Sequence, residues 1–503
     1  MSITSPPPGS AAHDARRVAG GSGLVLLGGL FDRGIRWAIK WYLAHALGPA
    51  GLGAYSFATR VAQTVTSFSP LGLDTGIIYF AARFLREGER DRLKGVFLTG
   101  LFASMVGGVV GALGLSLYVH LGVEPGPLAD TAALVAPVVV PWTVLLFFVG
   151  ALKARKDQRR STLAYQITLP LAMALLTGIF VGVFDWGVRG ALLGMGLAMV
   201  IALAQGALMV FRSYRELFRE PMTQPRWEIG ALLRYSGPQA LTAAAFQLNL
   251  QLDGLMLAQL GGVHKAGLYE VAASLASFGA VPANAVATVL NPFIAELAHT
   301  GERERLNRLL QVITRWLILV SVPAYLVLLL LPDLILHLYS DVYAVSAMPL
   351  VILAAGQSIN TVCSPAMRLI PMSGHAMLNL GNAVVAVVLN VALNSLLIPL
   401  WGPVGAAAAS ALTLSAWSIW RLAEVWHLLR CFPFDRESLL LIVVSLGGAL
   451  SIRLGIDGLA ARVAATALLI GGFLVLGVLR AQSPEDAAIK AAFLRKLRRK
   501  GAA

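Results

Sequence analysis

The chain has 503 residues, of which 57% are hydrophobic and 13% are charged, and its mean hydropathy is +0.73. This composition excludes a soluble globular domain and is typical of a polytopic membrane protein. The net charge of +14 would suggest nucleic acid as the partner of a soluble protein. Here we attribute it to cytoplasmic loops, because membrane proteins collect lysine and arginine there. We therefore expect no nucleic-acid partner.

Basic clusters alternate along the chain with loops that lack lysine and arginine. Residues 83–94 and 153–160 are rich in basic side chains, whereas residues 47–53 and 121–130 have none. Because basic loops stay on the cytoplasmic side, we predict an even number of spans and two cytoplasmic termini. Residues 1–19 lack the pattern of a cleaved signal peptide. The two cysteines fall in or beside predicted spans, so a structural disulfide is not expected.

Hydropathy predicts about fourteen membrane-spanning helices, since each needs roughly 20 mainly apolar residues. The predicted spans are residues 22–46, 53–82, 96–120, 131–152, 162–183, 190–211, 232–259, 268–296, 312–335, 345–370, 378–400, 404–428, 438–455 and 459–479. The second span contains Ser69-Pro70-Leu71-Gly72 near its middle, which predicts a kink.

The chain also repeats itself. Residues 41–62 align without gaps with residues 255–276, and Trp186-Gly187 aligns with Trp401-Gly402 at nearly the same offset. The repeat predicts two six-helix lobes related by a pseudo-twofold axis along the membrane normal. The predicted fold class is thus an all-α polytopic membrane protein with two such lobes and two extra C-terminal helices. Its predicted segments are a cytoplasmic tail (1–19), an N-lobe (20–230), a C-lobe (231–430), the thirteenth and fourteenth spans (431–480) and a basic cytoplasmic tail (481–503).

The last of these segments has an amphipathic pattern. Ile489, Phe493 and Leu497 recur every four residues among lysines and arginines. This pattern favours a helix lying on the anionic cytoplasmic leaflet, and the alternative is a disordered basic tail.

Three cations lie inside the first predicted span. At about 100° per residue, Arg33, Arg36 and Lys40 fall within an arc of roughly 60°. Charged side chains are costly in lipid, so this face is expected to line a water-filled cavity that suits an anionic cargo. Asp32 lies one turn before Arg36 and can pair with it, but one acid cannot neutralise three cations.

Further charged and polar residues lie within the spans, where they need partners or water. Arg60 is predicted either to join the cationic face or to snorkel to the interface. Asp253 is predicted either to couple an ion or to pair with an arginine. We expect a cationic cavity formed by Arg33, Arg36, Lys40, Arg60 and Arg368. A polar lining is expected from Gln247, Asn249, Gln251 and Asn360, and ion coupling or ion pairing from Asp32, Asp74, Asp253 and Glu270.

No motif for catalysis occurs in the sequence. It contains neither a phosphate-binding G-x-x-x-x-G-K-[ST] loop nor an H-E-x-x-H or paired-cysteine metal motif. We therefore expect neither an enzyme nor a cofactor-dependent protein, and no ATP hydrolysis by this chain.

Several stretches carry a family resemblance: Leu47–Tyr55, Leu71–Gly76, Leu252–Ala258, Gly267–Ala273 and Asn291–Leu297. In their order and spacing they resemble the polysaccharide flippase branch of the multidrug/oligosaccharidyl-lipid/polysaccharide (MOP) exporter superfamily, over roughly residues 20–430. This resemblance implies two lobes that alternate between inward-open and outward-open states. It implies a cargo of undecaprenyl-pyrophosphate-linked oligosaccharide, moved from the cytoplasmic to the periplasmic leaflet.

We expect an ion gradient of H⁺ or Na⁺, or the membrane potential, as the energy source. The expected partners are the lipid-linked glycan, membrane lipids, a polysaccharide polymerase and other assembly proteins. One alternative is a lipid II-type flippase, whose branch the two extra helices resemble, although its signature around the first two helices is missing. A second is a multidrug cation antiporter, which the positive first span disfavours. A third is a membrane glycosyltransferase or ligase, which the short loops disfavour.

Overall fold

The computed structural model describes most of the chain, including all of the residues on which the site below depends. It describes residues 11–70, 72–122, 126–155, 157–216, 225–281, 283, 303–372 and 375–480. The predicted amphipathic tail (481–503) therefore lies outside the described residues.

Within these ranges the chain is helical, with no β-strand. The helices are α1 (Ala11–Phe68), α2 (Leu73–Glu87), α3 (Arg90–Gly122), α4 (Pro127–Val135), α5 (Val139–Ala154), α6 (Gln158–Thr162), α7 (Leu169–Thr177), α8 (Gly187–Ser213), α9 (Ile229–Gly261), α10 (Val263–Phe278), α11 (Arg303–Leu330), α12 (Pro332–His337), α13 (Ala347–Met367), α14 (Leu369–Met372), α15 (Ala376–Trp401), α16 (Pro403–Leu429), α17 (Arg436–Gly455) and α18 (Leu459–Arg480). Two π-helical segments, Leu163–Thr168 and Gly178–Val183, flank α7.

Nine helical segments among the described residues are long and apolar enough to cross a membrane. They are Arg90–Leu121, Pro127–Ala154, Gln158–Val183, Gly187–Ser213, Arg303–Leu330, Asp341–Met367, Met377–Trp401, Arg436–Gly455 and Leu459–Arg480. Each overlaps one predicted span, so the prediction of an all-α polytopic membrane protein is confirmed. The count of fourteen spans stays a prediction. Helices α1 and α9, which carry the charged and polar side chains of the site, are not among these nine segments of the described chain.

Two breaks near the start of the chain occur where glycine permits a left-handed backbone. Gly48 interrupts α1 with φ +65°, so α1 consists of two helical segments. Gly72 has φ +73° and lies between the end of α1 at Phe68 and the start of α2 at Leu73. The second break confirms the kink predicted from Pro70, because proline removes a backbone donor and glycine accepts a positive φ.

The chain divides into two compact units, each with its own interior. The first comprises Met1–Glu270 and Ala383–Pro403, and the second comprises Val271–Asn382 and Val404–Ala503. In the first unit, an aromatic core joins Phe84, Phe97, Phe147 and Tyr214 of neighbouring helices. In the second, α11 packs its apolar side chains against α17 and α18. The two six-helix lobes expected from the repeat stay a prediction.

Candidate functional site

A buried carboxylate in the first unit holds two of its cations together. Glu270 of α10 is 4% exposed. Its Oε1 accepts a hydrogen bond from Lys40 Nζ at 2.6 Å. Its Oε2 accepts from Arg60 Nη2 at 2.8 Å and from Arg60 Nε at 3.1 Å. Both carboxylate oxygens are thus engaged by charged donors, the strongest kind of hydrogen bond available to them.

Arg60 uses the rest of its guanidinium on α9. Its Nη1 donates to Gln251 Oε1 at 3.0 Å, to the Leu250 carbonyl at 3.3 Å and to Asp253 Oδ1 at 3.4 Å. The planar guanidinium therefore bridges an acid on α10 and an acid on α9. Of the two roles predicted for Arg60, snorkelling to the interface does not describe this position, because its side chain is 12% exposed and fully engaged.

Asp253 is held in place by three neighbours. Tyr269 donates its hydroxyl to Asp253 Oδ2, and the Gly254 amide donates to Oδ1 at 2.8 Å. Arg60 is the third partner. Of the two roles predicted for Asp253, the structure therefore displays the pairing with an arginine. Gly254 also makes room for that arginine, since a Cβ added at this position would lie 2.6 Å from Arg60 Cζ.

We call Lys40, Arg60, Asp253 and Glu270 the charge cluster. Its two cations and two acids cancel in formal charge, and each cation contacts at least one acid. Buried charges are tolerated when they are paired in this way, and removing one partner leaves an uncompensated buried charge.

This pairing reduces the net positive charge that was expected on the first predicted span. Arg36 Nε donates to Asp32 Oδ1 at 2.7 Å, as predicted. Lys40 is neutralised by Glu270, an acid far away in sequence that helix periodicity could not reveal. Arg33 is exposed and has no hydrogen-bond or ion-pair partner in the part of the chain that the structure describes. The unpaired positive charge expected on this face is thus carried by Arg33.

The three polar side chains predicted on α9 have three different surroundings. Gln251 joins Arg60 and also donates from Nε2 to Gln63 Oε1 at 2.6 Å. Asn249 instead accepts at Oδ1 from Asn390 Nδ2 of α15 at 2.9 Å, away from the charge cluster. Gln247 is half-buried and makes no hydrogen bond to another described residue.

The remaining three predicted residues are Arg368, Asn360 and Asp74. Arg368 is half-buried at the end of α13 in the second unit. Asn360 of the same helix accepts a hydrogen bond from Ser418 at 3.2 Å. The backbone of Asp74 belongs to α2, but its side chain lies outside the described residues. Over the described ranges no group of three or more His, Cys, Asp or Glu side chains could hold a metal ion.

Sequence reasoning missed three contributors to the cluster: Gln63, Tyr269 and Gly254. The repeat contained a signal for one of them, since it matches Gly53-x-Tyr55 with Gly267-x-Tyr269 and so marks both tyrosines. Gly254 directly follows Asp253. The sequence does not explain this glycine, whereas the structure shows that a side chain at this position would collide with Arg60.

The fold is similar to that of known membrane transporters. It is similar to an inward-facing multidrug resistance MATE family transporter, with a TM-score of 0.65 at 16% identity over 79% of this chain and 99% of that chain. It is similar to the lipid II flippase MurJ in an inward closed conformation, with a TM-score of 0.70 at 14% identity over 90% of this chain and 97% of that chain. These likenesses show that the chain has the fold of known polytopic membrane transporters.

The family itself is established by sequence. A model of the polysaccharide biosynthesis protein family matches residues 18–298, and the MatE model matches residues 238–396. The chain belongs to the polysaccharide biosynthesis protein family.

Two curated relatives come from Methanocaldococcus jannaschii. The uncharacterized membrane protein MJ1068 is 21% identical over 88% of this chain and 91% of its own length. The uncharacterized membrane protein MJ1375 is 23% identical over 54% of this chain and 66% of its own length.

Proposed function

We propose that the chain flips undecaprenyl-pyrophosphate-linked oligosaccharide from the cytoplasmic to the periplasmic leaflet of a bacterial inner membrane, for surface polysaccharide synthesis. Membership of the polysaccharide biosynthesis protein family supports this class of cargo. The proposed mechanism is alternating access, in which a membrane carrier opens to one side at a time.

One observation carries the proposal: cations within the first two predicted spans are held by carboxylates that an anionic cargo can replace. Lys40 contacts Glu270 at 2.6 Å, yet its side chain is 34% exposed, whereas that of Arg60 is 12% exposed. Arg33 lies two turns before Lys40 and is without a partner among the described residues. A pyrophosphate group can thus bind Arg33 and take Lys40 from Glu270, since all these contacts are between an oxyanion and a cation.

The same exchange suggests how transport is driven. Once the cargo holds Lys40, Glu270 loses one of its two cationic partners. Binding of H⁺ or Na⁺ at this carboxylate would restore the balance of charge in a buried place. We therefore propose Glu270, with Asp253 as the second acid, as the coupling group for an ion gradient.

The test is to follow the lipid-linked glycan in a deletion strain. We expect undecaprenyl-pyrophosphate oligosaccharide to accumulate facing the cytoplasm, detected by mass spectrometry and a membrane-impermeant label. The Arg33→Ala/Arg36→Ala double variant should fail to restore translocation while reaching the membrane in normal amount. Arg189→Ala is the matched control, because Arg189 is exposed and outside the cluster. A double variant that works like wild type would exclude the cationic face as a cargo site.

Two other cargoes give different outcomes in the same strain. The likeness to the lipid II flippase covers 90% of this chain, and its predicted outcome is a build-up of peptidoglycan precursor. A multidrug antiporter, suggested by the likeness to the MATE transporter, predicts a change of drug susceptibility and no stranded lipid.

A further inference from the structure

The second unit contains a buried arginine that forms no ion pair with an acid among the described residues. Arg421 of α16 is 7% exposed. Its Nη2 donates to the Met367 carbonyl, which ends α13, and to Asn379 Oδ1 at 2.9 Å. The guanidinium is therefore anchored at the carboxyl end of α13. A cation suits a helix carboxyl end, but this capping occupies Nη2 alone.

The remaining nitrogens of this guanidinium are unoccupied. Nε is buried without a hydrogen-bond partner, and no bond joins Nη1 to another described residue. The acid closest in sequence, Glu424, is engaged elsewhere: it accepts from Asn382 Nδ2 at 2.6 Å and from Trp420 Nε1 at 2.8 Å. A buried cation with donors left over is costly unless something compensates it.

A second arginine stands at the same helix end and adds to the charge. Arg368 directly follows Met367, is half-buried, and has no hydrogen-bond or ion-pair partner among the described residues. Its charge repels that of Arg421 and opposes the attraction that Glu424 exerts on the same guanidinium. Two arginines with unused donors at one helix end offer a site that an oxyanion would stabilise, since the guanidinium fork matches the oxygens of a phosphate.

The surroundings place this pair near the membrane surface. Trp420 precedes Arg421 and is 63% exposed. Exposed tryptophans on membrane helices concentrate at the level of the lipid headgroups. A phosphate group can reach such a place from the headgroup of a lipid or from solution.

We propose that Arg368 and Arg421 of the second unit form a phosphate-binding site at the carboxyl end of α13. The inference rests on the proposed function only for its biological use, as a second contact for the phosphate of a lipid-linked cargo. The site itself is argued from contacts within the second unit alone.

The experiment uses the purified full-length chain in a maltoside detergent, which contains no phosphate. Inorganic pyrophosphate is titrated calorimetrically at constant ionic strength, and dioleoyl phosphatidic acid is added for native mass spectrometry. Arg368→Ala and Arg421→Gln should each weaken binding at least about tenfold, as expected for a charge-assisted hydrogen bond. Arg421→Lys keeps the charge but loses the planar fork, so it should weaken phosphate binding in part. This variant also keeps the test valid if Arg421→Gln fails to fold.

Arg436→Ala is the matched control, because it removes one exposed arginine of the same unit that has no partner among the described residues. Binding of both ligands assigns the site to phosphate itself, and binding of phosphatidic acid alone assigns it to a lipid headgroup. Binding of neither ligand, or unchanged binding by Arg368→Ala and Arg421→Lys, overturns the inference. If the wild-type chain flips glycan but binds no phosphate at this site, the inference fails and the proposed function stands. If it binds phosphate but does not flip glycan, the inference stands and the proposed function fails.

Discussion

Gly53 and Gly267 pack against each other, backbone to backbone. A Cβ at Gly53 would lie 2.8 Å from the nitrogen of Gly267, and one at Gly267 would lie 2.9 Å from the nitrogen of Gly53. The two glycines occupy matching positions in the sequence repeat, which aligns residues 41–62 with residues 255–276. Their contact brings α10 against the second segment of α1, so that Glu270 and Arg60, each a few residues further on, can meet.

The first prediction tests this close approach. Gly53→Ala should lower the free energy of unfolding by about 1–3 kcal/mol or more, because the new methyl group would lie 1.9 Å from the Val263 carbonyl oxygen and must push backbone aside. The measurement is thermal unfolding of the purified protein in detergent. Gly114→Ala, in a helix with open space around its Cα, is the control and should have little effect. Equal effects of the two substitutions would contradict the proposed packing.

The second prediction concerns the coupling of Arg60 and Glu270. Arg60→Met and Glu270→Gln should each destabilise the protein by about 3–5 kcal/mol, because each leaves a buried charge without its partner. The double variant should lose much less than the sum of the two. A double-mutant cycle from unfolding curves measures this difference.

The exposed pair Arg83–Glu87 provides the comparison for this cycle. Its side chains are 50% and 40% exposed, and its nitrogen-to-oxygen distance of 2.9 Å is close to that of the buried pair. Its cycle should give no measurable coupling, since water and side-chain entropy cancel the attraction. Additive effects at Arg60 and Glu270 would mean that their contact contributes nothing to stability.

The third prediction separates the position of Arg60 from its charge. Gly254→Ala places a methyl group 2.6 Å from Arg60 Cζ and Nε, so the guanidinium must shift from its acids. We expect glycan flipping to fall at least about tenfold, since misplacing one charge-assisted hydrogen bond is enough for such a loss. Gly230→Ala is made in the same helix with open space around it and should flip glycan normally. The assay is the leaflet-resolved labelling described above.

The fourth prediction distinguishes cargo binding from stability at Lys40. Lys40→Met should lower the unfolding temperature much less than Arg60→Met does, because Glu270 keeps Arg60 and the lysine side chain is 34% exposed. Flipping should be lost, because the cation that pyrophosphate is proposed to take is gone. If Lys40→Met instead flips glycan at the wild-type rate, the cargo does not use this lysine.

Much of the fold was predictable because hydropathy and the helix-breaking residues proline and glycine act on the local chain. Nine apolar segments of the described chain coincide with predicted spans, since length and composition alone decide whether a helix can cross a bilayer. The break between Phe68 and Leu73 was predictable for the same reason: Pro70 and Gly72 lie there, and proline restricts whereas glycine frees the backbone of its own residue.

The site was only half predictable. Periodicity predicted that Asp32 pairs with Arg36, since residues four apart share a helix face. It could identify Arg60, Asp253 and Glu270 as polar residues in need of partners, but it could not say which would meet. Arg60 and Glu270 are 210 residues apart, and their contact exists because α10 packs against the second segment of α1.

The sequence by itself determined that this is a polytopic α-helical membrane protein whose first span carries cations, because composition and helical period are properties of the chain. Only the tertiary structure decided which cations are neutralised. Lys40 and Arg60 are bound by acids from other helices, and Arg33, Arg368 and Arg421 have no ion-pair partner among the described residues. Charge pairing depends on distances of a few ångströms between distant segments, and these are fixed by packing rather than by local sequence.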